Sequence, residues 1–447
     1  MSGRTVAELH AWLSGVGYDD LPDEVRRMSQ KCLLDLVGTG AAGSATELSR
    51  IARDHAVAQF GPGEGTRGAR LLFDGRVASP TGAALAGGMT IDSVDAHDGH
   101  PLTKGHAGAA VLPGLLALVD AGGLALDGPE LLTALVVGYE VALRAGIALH
   151  ATAPDYHTSG AWNALGVAAV ANRLWRSDER HLREALGIAE YHGPRSQMMR
   201  CIDHPTMLKD GSGWGAMAGV SAAEFARAGF TGAPAVTVEG GDVAEIWSDL
   251  GARWRILELY FKPYPVCRWA QPAIEAALQV RDGVALGEVD EIEVRTFHEA
   301  TRLAEAEPAT TEEAQYSLPF PVAVAVARGR LAAADVDGAT LSDPTVLELS
   351  RRVRLVEDAA LSARFPAERL AQVSLRLRDG TVRVSDILPA RGMPENPLTD
   401  VQLEAKFHEL ADGPLGARAA ELEQVITDLP ERGDADALLE LVLGAPS

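Results

Sequence analysis

Cysteine is scarce. The chain has only Cys32, Cys201 and Cys267 in 447 residues, too few and too scattered for a disulfide framework or a thiolate zinc cluster. Such sparse cysteine fits a reducing, cytoplasmic setting. Aromatic residues make up 5% of the chain, so Ala, Leu and Val must fill the core, which favours helices packed closely through small side chains. Basic charge is in deficit, with 40 Lys and Arg against 62 Asp and Glu and a net charge of −22. That excludes nucleic-acid binding through a broad basic face, and it means that an anionic substrate needs a local cationic pocket set against the overall field. No apolar run approaches the roughly 20 residues of a membrane span, and the first ten residues lack the apolar core of a signal peptide. Lysine is rarer than its charge class suggests: Lys31, Lys104, Lys209, Lys262 and Lys406 are the five, against 35 arginines. A chain that uses Arg for routine surface charge keeps Lys where an ammonium is needed, although a GC-rich genome with leftover lysines accounts for any single one.

What is present divides in two. The length predicts two or three domains with a large core. Up to residue 232 the pattern is helical. A helix opens at Leu21-Pro22-Asp23-Glu24 and carries an apolar stripe of Val25, Met28, Cys32, Leu33 and Leu36. Further helices are predicted over 46–59, 79–88 (Ser79 as N-cap before Pro80), 109–119 despite Pro113, 129–150, 162–175, 181–191 and 212–228. A short strand is predicted over 69–73. Period-2 alternation then marks a strand over 289–297, and residues 373–377 and 382–384 around Asp379-Gly380 read as a hairpin. Thr399 with Gln402 caps a last helix that returns to the helical part. The fold class is therefore mainly α: a large all-helical domain, residues 1–262 and 392–447, plus a smaller α+β domain, residues 263–391.

The densest chemistry lies in residues 92–106, which hold three of the twelve histidines, three aspartates and Lys104 between two apolar segments. Three other segments concentrate polar groups: Asp155 to Gly160, His204 to Gly211, and Phe261 to Arg268. The first two of these each feed the N-terminus of a small-residue helix, a setting that attracts anions. With Lys104, Lys209, Lys262 and Arg268 they predict an anion-binding pocket. His106 and His157 supply groups that titrate near neutral pH, suited to general acid/base work. Each residue alone has a plainer reading: His157 as a structural histidine, Lys209 as a surface residue, Cys267 as a packing side chain. The cluster Asp95, His97, Asp98, His100 and His106 invites a metal, but no HExxH helix or equivalent spacing is present, and no metal is expected.

Several of these segments together resemble the MmgE/PrpD family, which has dehydratase, decarboxylase and epimerase members. The resemblance runs through Val94-Asp95-Ala96-His97-Asp98-Gly99-His100, His106-Ala107-Gly108, His157-Thr158-Ser159-Gly160, Lys209, Lys262-Pro263-Tyr264-Pro265-Val266-Cys267-Arg268, Gln315 to Pro319 and Asn396 to Thr399. It implies a cleft between a helical and an α+β domain, a homodimer, and no cofactor or metal. It also implies that Asp95, His106, His157, Lys209 and Lys262 surround the substrate. The sequence departs from the family pattern where His97 replaces an acid, Gly99 a hydroxyl residue and Phe320 a tyrosine, and where Cys267 and Gln271 stand at positions that carry histidine in some members. These changes speak against the decarboxylase activity itself.

The expectation is a cofactor-independent, dehydratase-type lyase that abstracts a proton next to a carboxylate of a small di- or tricarboxylate. Asp95, His106, His157 and Lys209 are the expected catalytic residues. Lys262, Arg268, His97, His100, Lys104 and Cys267 are the expected substrate contacts. The alternative is an epimerase, isomerase or cyclase with the same acid/base site, acting in secondary metabolism on a larger, less charged substrate. A third reading is a metal-binding or structural protein without activity. A small anionic substrate is the expected partner, with neither nucleic acid nor membrane.

Overall fold

The computed structural model describes residues 2–445; residues 1, 446 and 447, at the extremes of the expected helical domain, lie outside the described residues. The chain is mainly helical with two small sheets. The Asp23–Gly43 helix starts directly after Pro22, with Asp23 and Glu24 in its first turn against the positive end of the dipole. Ser79 caps the Pro80–Asp92 helix by accepting from the Gly82 N–H. The Gly108–Gly122 helix continues through Pro113 and stops at Gly123, which adopts the left-handed conformation that glycine tolerates. Thr399 and Gln402 form a reciprocal capping box on the Asp400–Leu415 helix.

The structure differs from the expectation in three places. A helix spans Ser2–Gly15, where Val6, Leu9 and Leu13 are buried along one face. The strand expected over 69–73 shortens to β1 (Ala69–Arg70), which pairs with β2 (Val77–Ala78), because Phe73 turns to a positive φ of 49° and ends the extended run. The larger sheet gains an edge strand. β3 (Val289–Thr296) lies between β4 (Val353–Glu357), parallel to it, and β5 (Leu370–Leu377), antiparallel; β5 also pairs with β6 (Val382–Val384) and β7 (Leu388–Pro389). β4 escapes sequence reading because its residues are only half-buried or exposed, so burial imposes little alternation on it.

Buried apolar side chains fall into two main cores. The first runs from Val6 to Phe261 and takes in Leu398 to Leu443. The second runs from Tyr264 to Leu375 and draws in Met198, Cys201 and Ile202 from the helical part. Against the expectation from sequence, one helix among the described residues, Gly128–Thr152, is long and apolar enough to cross a membrane; 94% of its most apolar stretch is buried inside the fold.

The helices around residues 92–106 approach through glycine. Gly88 of the Pro80–Asp92 helix meets Gly213 of the Ser212–Arg227 helix backbone to backbone: a Cβ at 88 would lie 2.6 Å from the Gly213 Cα and 2.9 Å from its nitrogen. This contact brings Asp92 to the start of the second helix, where its carboxylate accepts from the Ser212 N–H at 3.3 Å. Gly88→Ala is expected to lower stability by about 1–3 kcal/mol through overpacking. Gly15→Ala, at an exposed position of the Ser2–Gly15 helix with no group beyond its chain neighbours within 4 Å of the new methyl, is expected to raise it by up to about 1 kcal/mol. Denaturant unfolding of the two variants against the parent checks both signs.

Candidate active site

Residues 92–106 connect two buried helices, so their polar groups must find partners inside the protein. The backbone exchanges a pair of hydrogen bonds with the segment leading to Lys262: Gly99 N–H to Tyr260 O at 3.0 Å and Tyr260 N–H to Gly99 O at 2.8 Å. A side chain at position 99 would begin 2.4 Å from the Tyr260 hydroxyl oxygen, so the Tyr260 phenol occupies the space a hydroxyl residue there would use. Lys406, on the returning C-terminal helix, donates to the Ala96 carbonyl at 2.6 Å and to the Asp35 carboxylate. The C-terminal segment thereby holds the loop against the Asp23–Gly43 helix.

Asp95 sits at φ +56°, a conformation Asp tolerates better than most residues. Lys262 donates to its side chain at 2.9 Å and to its carbonyl at 3.0 Å, with both residues buried. Burial alone would raise the Asp95 carboxyl; the Lys262 and Lys209 ammonium groups outweigh it and hold it below the usual range. Burial works against the Lys262 ammonium too, and the Asp95 charge more than offsets it, so Lys262 is held above its ordinary value. The pair is therefore ionic.

His106 is fixed by its Nδ1, 2.5 Å from the Asp98 carbonyl oxygen, and by its backbone N–H to Ser159 Oγ at 2.8 Å. A carbonyl oxygen can only accept, so Nδ1 carries the proton and Nε2 keeps a lone pair. Burial, then the neighbouring His97 and Lys262, hold the imidazole well below its ordinary value. His97 stacks obliquely on His106, ring centroids 4.3 Å apart. It is fully buried, and neither of its nitrogens has a hydrogen-bond partner, although Nε2 lies 3.3 Å from Asp92 Oδ1. Burial, with Lys262 next, keeps it neutral.

These groups face a cavity of about 220 Å³. Of the expected site residues, Asp95, His106, Lys262, Lys104, Arg268 and Cys267 line it. Burial pushes the Cys267 thiol up to about 12, so it is not a thiolate nucleophile. Gln271 orients Arg268: its Oε1 accepts from the guanidinium at 3.0 Å while its Nε2 donates to the Tyr264 and Val266 carbonyls. Lys209 does not line the cavity. It is buried behind the wall, its ammonium 4.9 Å from the Tyr316 ring centroid and bonded to Gln315 Oε1.

The structure does not bring His157, His100 or His97 to the cavity. His157 bonds back to the Asp155 carbonyl at 2.9 Å near the surface. His100 uses one nitrogen on Glu258 at 3.1 Å and the other on backbone N–H groups of its own turn. His97 lies behind His106. The two helix N-termini expected to bind a substrate anion are also occupied from within. Asp210 accepts from the Ser159 N–H at 3.1 Å and from its hydroxyl, and Asp92 accepts from Ser212 N–H. Protein carboxylates take up that positive field.

The sequence reading missed Tyr156, Tyr260, Tyr316, Glu299, Arg369 and the apolar wall of Met198, Met199, Ile202, Trp269 and Phe365. Tyr156 and Tyr316 lie inside segments it had quoted. Arg369 carries no signal among 35 arginines. Burial raises all three phenols, which are therefore neutral hydrogen-bond donors. Four cationic side chains, Lys104, Lys262, Arg268 and Arg369, meet two carboxylates, Asp95 and Glu299, in this one cavity, a positive focus in a chain of net charge −22.

Ligand atoms of Asp95, His97 and His106 lie within 4.8 Å of one another. The Lys262 ammonium bonded to Asp95 opposes a divalent ion at that carboxylate.

Two family models match the chain: the MmgE/PrpD N-terminal domain over residues 7–246 and the MmgE/PrpD C-terminal domain over residues 264–431. Among curated proteins, the cis-aconitate decarboxylase of Homo sapiens is 26% identical, covering 97% of this chain and 93% of its own length. That of Aspergillus terreus is 22% identical over 99% and 96%. The 2-methylcitrate dehydratase of Cupriavidus necator is 32% identical over a shorter stretch, 27% of each chain.

The electrostatics of the two stacked imidazoles can be checked directly. With ¹⁵N-labelled histidine, NMR at pH 6.5 is expected to find His106 as the neutral Nδ1–H tautomer and His97 neutral. His408, which Asp412 and Glu423 hold above the ordinary value of 6.5, stays mostly charged at that pH. A His106 signal titrating at or above 6.5 would contradict the assignment.

Proposed function

The chain belongs to the MmgE/PrpD family of lyase-type enzymes, and on that premise we propose that it removes a proton from the carbon next to a carboxylate of a small di- or tricarboxylate, without a cofactor, using His106 as the base. The observation that carries this reading is the Nδ1 bond of His106 to the Asp98 carbonyl. Among the described residues no protein group bonds to Nε2, so its lone pair is free on a residue that lines a cationic cavity. A neutral imidazole below its usual pKa is in the right state to accept a proton at neutral pH.

The steps follow from the residues present. The substrate carboxylate enters a cavity with an excess of cationic groups. As the C–H bond breaks, its proton passes to Nε2 and its electron pair delocalises into the carboxylate. Lys262, with Lys209 behind the wall, stabilises that developing charge, and burial strengthens each interaction. Asp95 holds Lys262 in place and keeps it charged. In dehydration the electron pair then forms the double bond as the β-hydroxyl leaves. It takes a proton from one of the neutral phenols and departs as water, and the His106 proton restores the phenol through solvent. In epimerisation the proton returns to the opposite face of the same carbon.

The apolar wall supports a second reading. Met198, Met199, Ile202, Trp269 and Phe365 make a large part of the cavity hydrophobic, more than a citrate-like ligand needs, which favours an isomerase or cyclase acting on a less charged substrate.

One experiment addresses both readings. Incubation in D₂O with citrate-, aconitate- and amino-dicarboxylate-class substrates is followed by proton NMR. Loss of water identifies the lyase, and deuterium uptake without net loss identifies the isomerase. His106→Gln and Asp95→Asn are each expected to reduce either signal by about 10²-fold or more. Unchanged turnover in both variants removes His106 from the base position.

A further inference from the structure

Arg369 stands apart from the protein's other buried cations. It is 8% exposed, yet among the described residues it takes part in no hydrogen bond or ion pair; its guanidinium meets only the Phe365 ring, at 5.7 Å. Arg144, Lys209, Lys262 and Arg255, equally buried, each have a carboxylate, amide or carbonyl partner. An unpaired buried charge is costly, and protein structures rarely keep one without a use for it. Arg369 shares the cavity with a second cation that has no carboxylate partner. Arg268 lines the same cavity, spends one edge of its guanidinium on Gln271 and backbone carbonyls, and leaves its Nε buried without a partner. Burial lowers the Arg268 guanidinium to about 10; Tyr260 and Glu275 oppose that shift, and the charge of Arg369 adds a smaller lowering. The carboxylates of the cavity do not neutralise them. Asp95 is bonded to Lys262, and among the described residues Glu299 forms no hydrogen bond or ion pair with either arginine.

We propose that Arg369, with Arg268, forms a second anion subsite that holds a carboxylate of the substrate other than the one beside the reacting carbon. Arg369 then determines specificity for substrates that carry at least two anionic groups. The subsite rests on the reading that this cavity is where the substrate binds. The reacting end lies at His106 and Lys262, and the second carboxylate sits between the two guanidinium groups, whose planar forks match its geometry. Binding there relieves a repulsion that the ligand-free protein carries, so the second carboxylate gains more than an exposed arginine would give it.

The test measures binding by calorimetry with glutarate and butanoate, which share a carbon chain and differ by one carboxylate. The parent protein is expected to bind glutarate more tightly than butanoate by about 10-fold or more, the range of a charge-assisted contact. Arg369→Met is expected to abolish that difference while leaving butanoate affinity within about 2-fold, and Arg369→Lys to keep part of it. Thermal unfolding separates this from a structural role. Removing an unpaired buried cation leaves the ligand-free melting temperature unchanged or raised, and glutarate stabilises the parent but not Arg369→Met. Glutarate bound equally by both proteins, an equal loss for both ligands, or a lower ligand-free melting temperature in both variants would overturn the subsite. If the parent binds neither ligand, the cavity assignment itself falls, and the subsite with it; that result is distinct from the others because it appears before any variant is made.

Discussion

The ion pair between Asp95 and Lys262 is the constraint on which the site depends. Both charges are out of water, 2.9 Å apart, and neither would remain ionised there alone. Removing one partner from such a pair typically destabilises by about 3–5 kcal/mol, far more than a surface salt bridge contributes. The pair joins residues 167 positions apart in the chain. One side is the loop leaving the Pro80–Asp92 helix and the other is the segment where the second core begins. It also sets the protonation of its neighbours. Burial disfavours a proton on His97 and His106, and the fixed ammonium adds to that, so both stay neutral.

The same economy governs the surrounding acids. Asp92 and Asp210 take the helix N-termini that open toward the loop, and Asp35 takes Lys406. The consequence for function is that the helix dipoles spend their field on positioning. They lock Ser159, which holds the backbone of His106, and they fix the crossing of the Pro80–Asp92 and Ser212–Arg227 helices. The positive charge of the cavity is left to side-chain cations, which can be aimed individually and which keep their charge when buried beside a partner.

This division explains which parts of the site could be seen in the sequence. The helices were legible because their caps are local: Ser79 with Pro80, Thr399 with Gln402. Residues 92–106 were legible because titratable groups between two apolar helices have few structural uses. Lys262 and Lys104 stood out through the rarity of lysine, and both line the cavity. The histidines could not be sorted. His100, His106 and His157 sit in similar polar loops, and what distinguishes them is which nitrogen is spent on a distant partner, Glu258 for His100 and the Asp98 carbonyl for His106. Arg369 and the apolar wall were invisible for another reason. They come from residues more than 90 positions from the loop, their types are unremarkable, and only the docking of the second core onto the first makes them neighbours.

Backbone strain marks the same region from a different direction. Among the described residues, five that are not glycine have positive φ: Phe73, Asp95, Lys104, Arg176 and Lys209. Three of them are cationic or anionic groups at or just behind the cavity. For a lysine this conformation costs about 1 kcal/mol or more, and a loop free to relax would abandon it. Lys104 and Lys209 are held there by their surroundings. The Lys104 carbonyl accepts from the Tyr156 hydroxyl and its ammonium rests 5.3 Å from that ring. Lys209 precedes Asp210, whose carboxylate is locked onto Ser159. The strain therefore does positional work: it turns each lysine inward from a loop whose neighbouring residues are committed to the helix start. The cationic character of the cavity thus follows from the packing of the helical core and not from the loops that carry the charges.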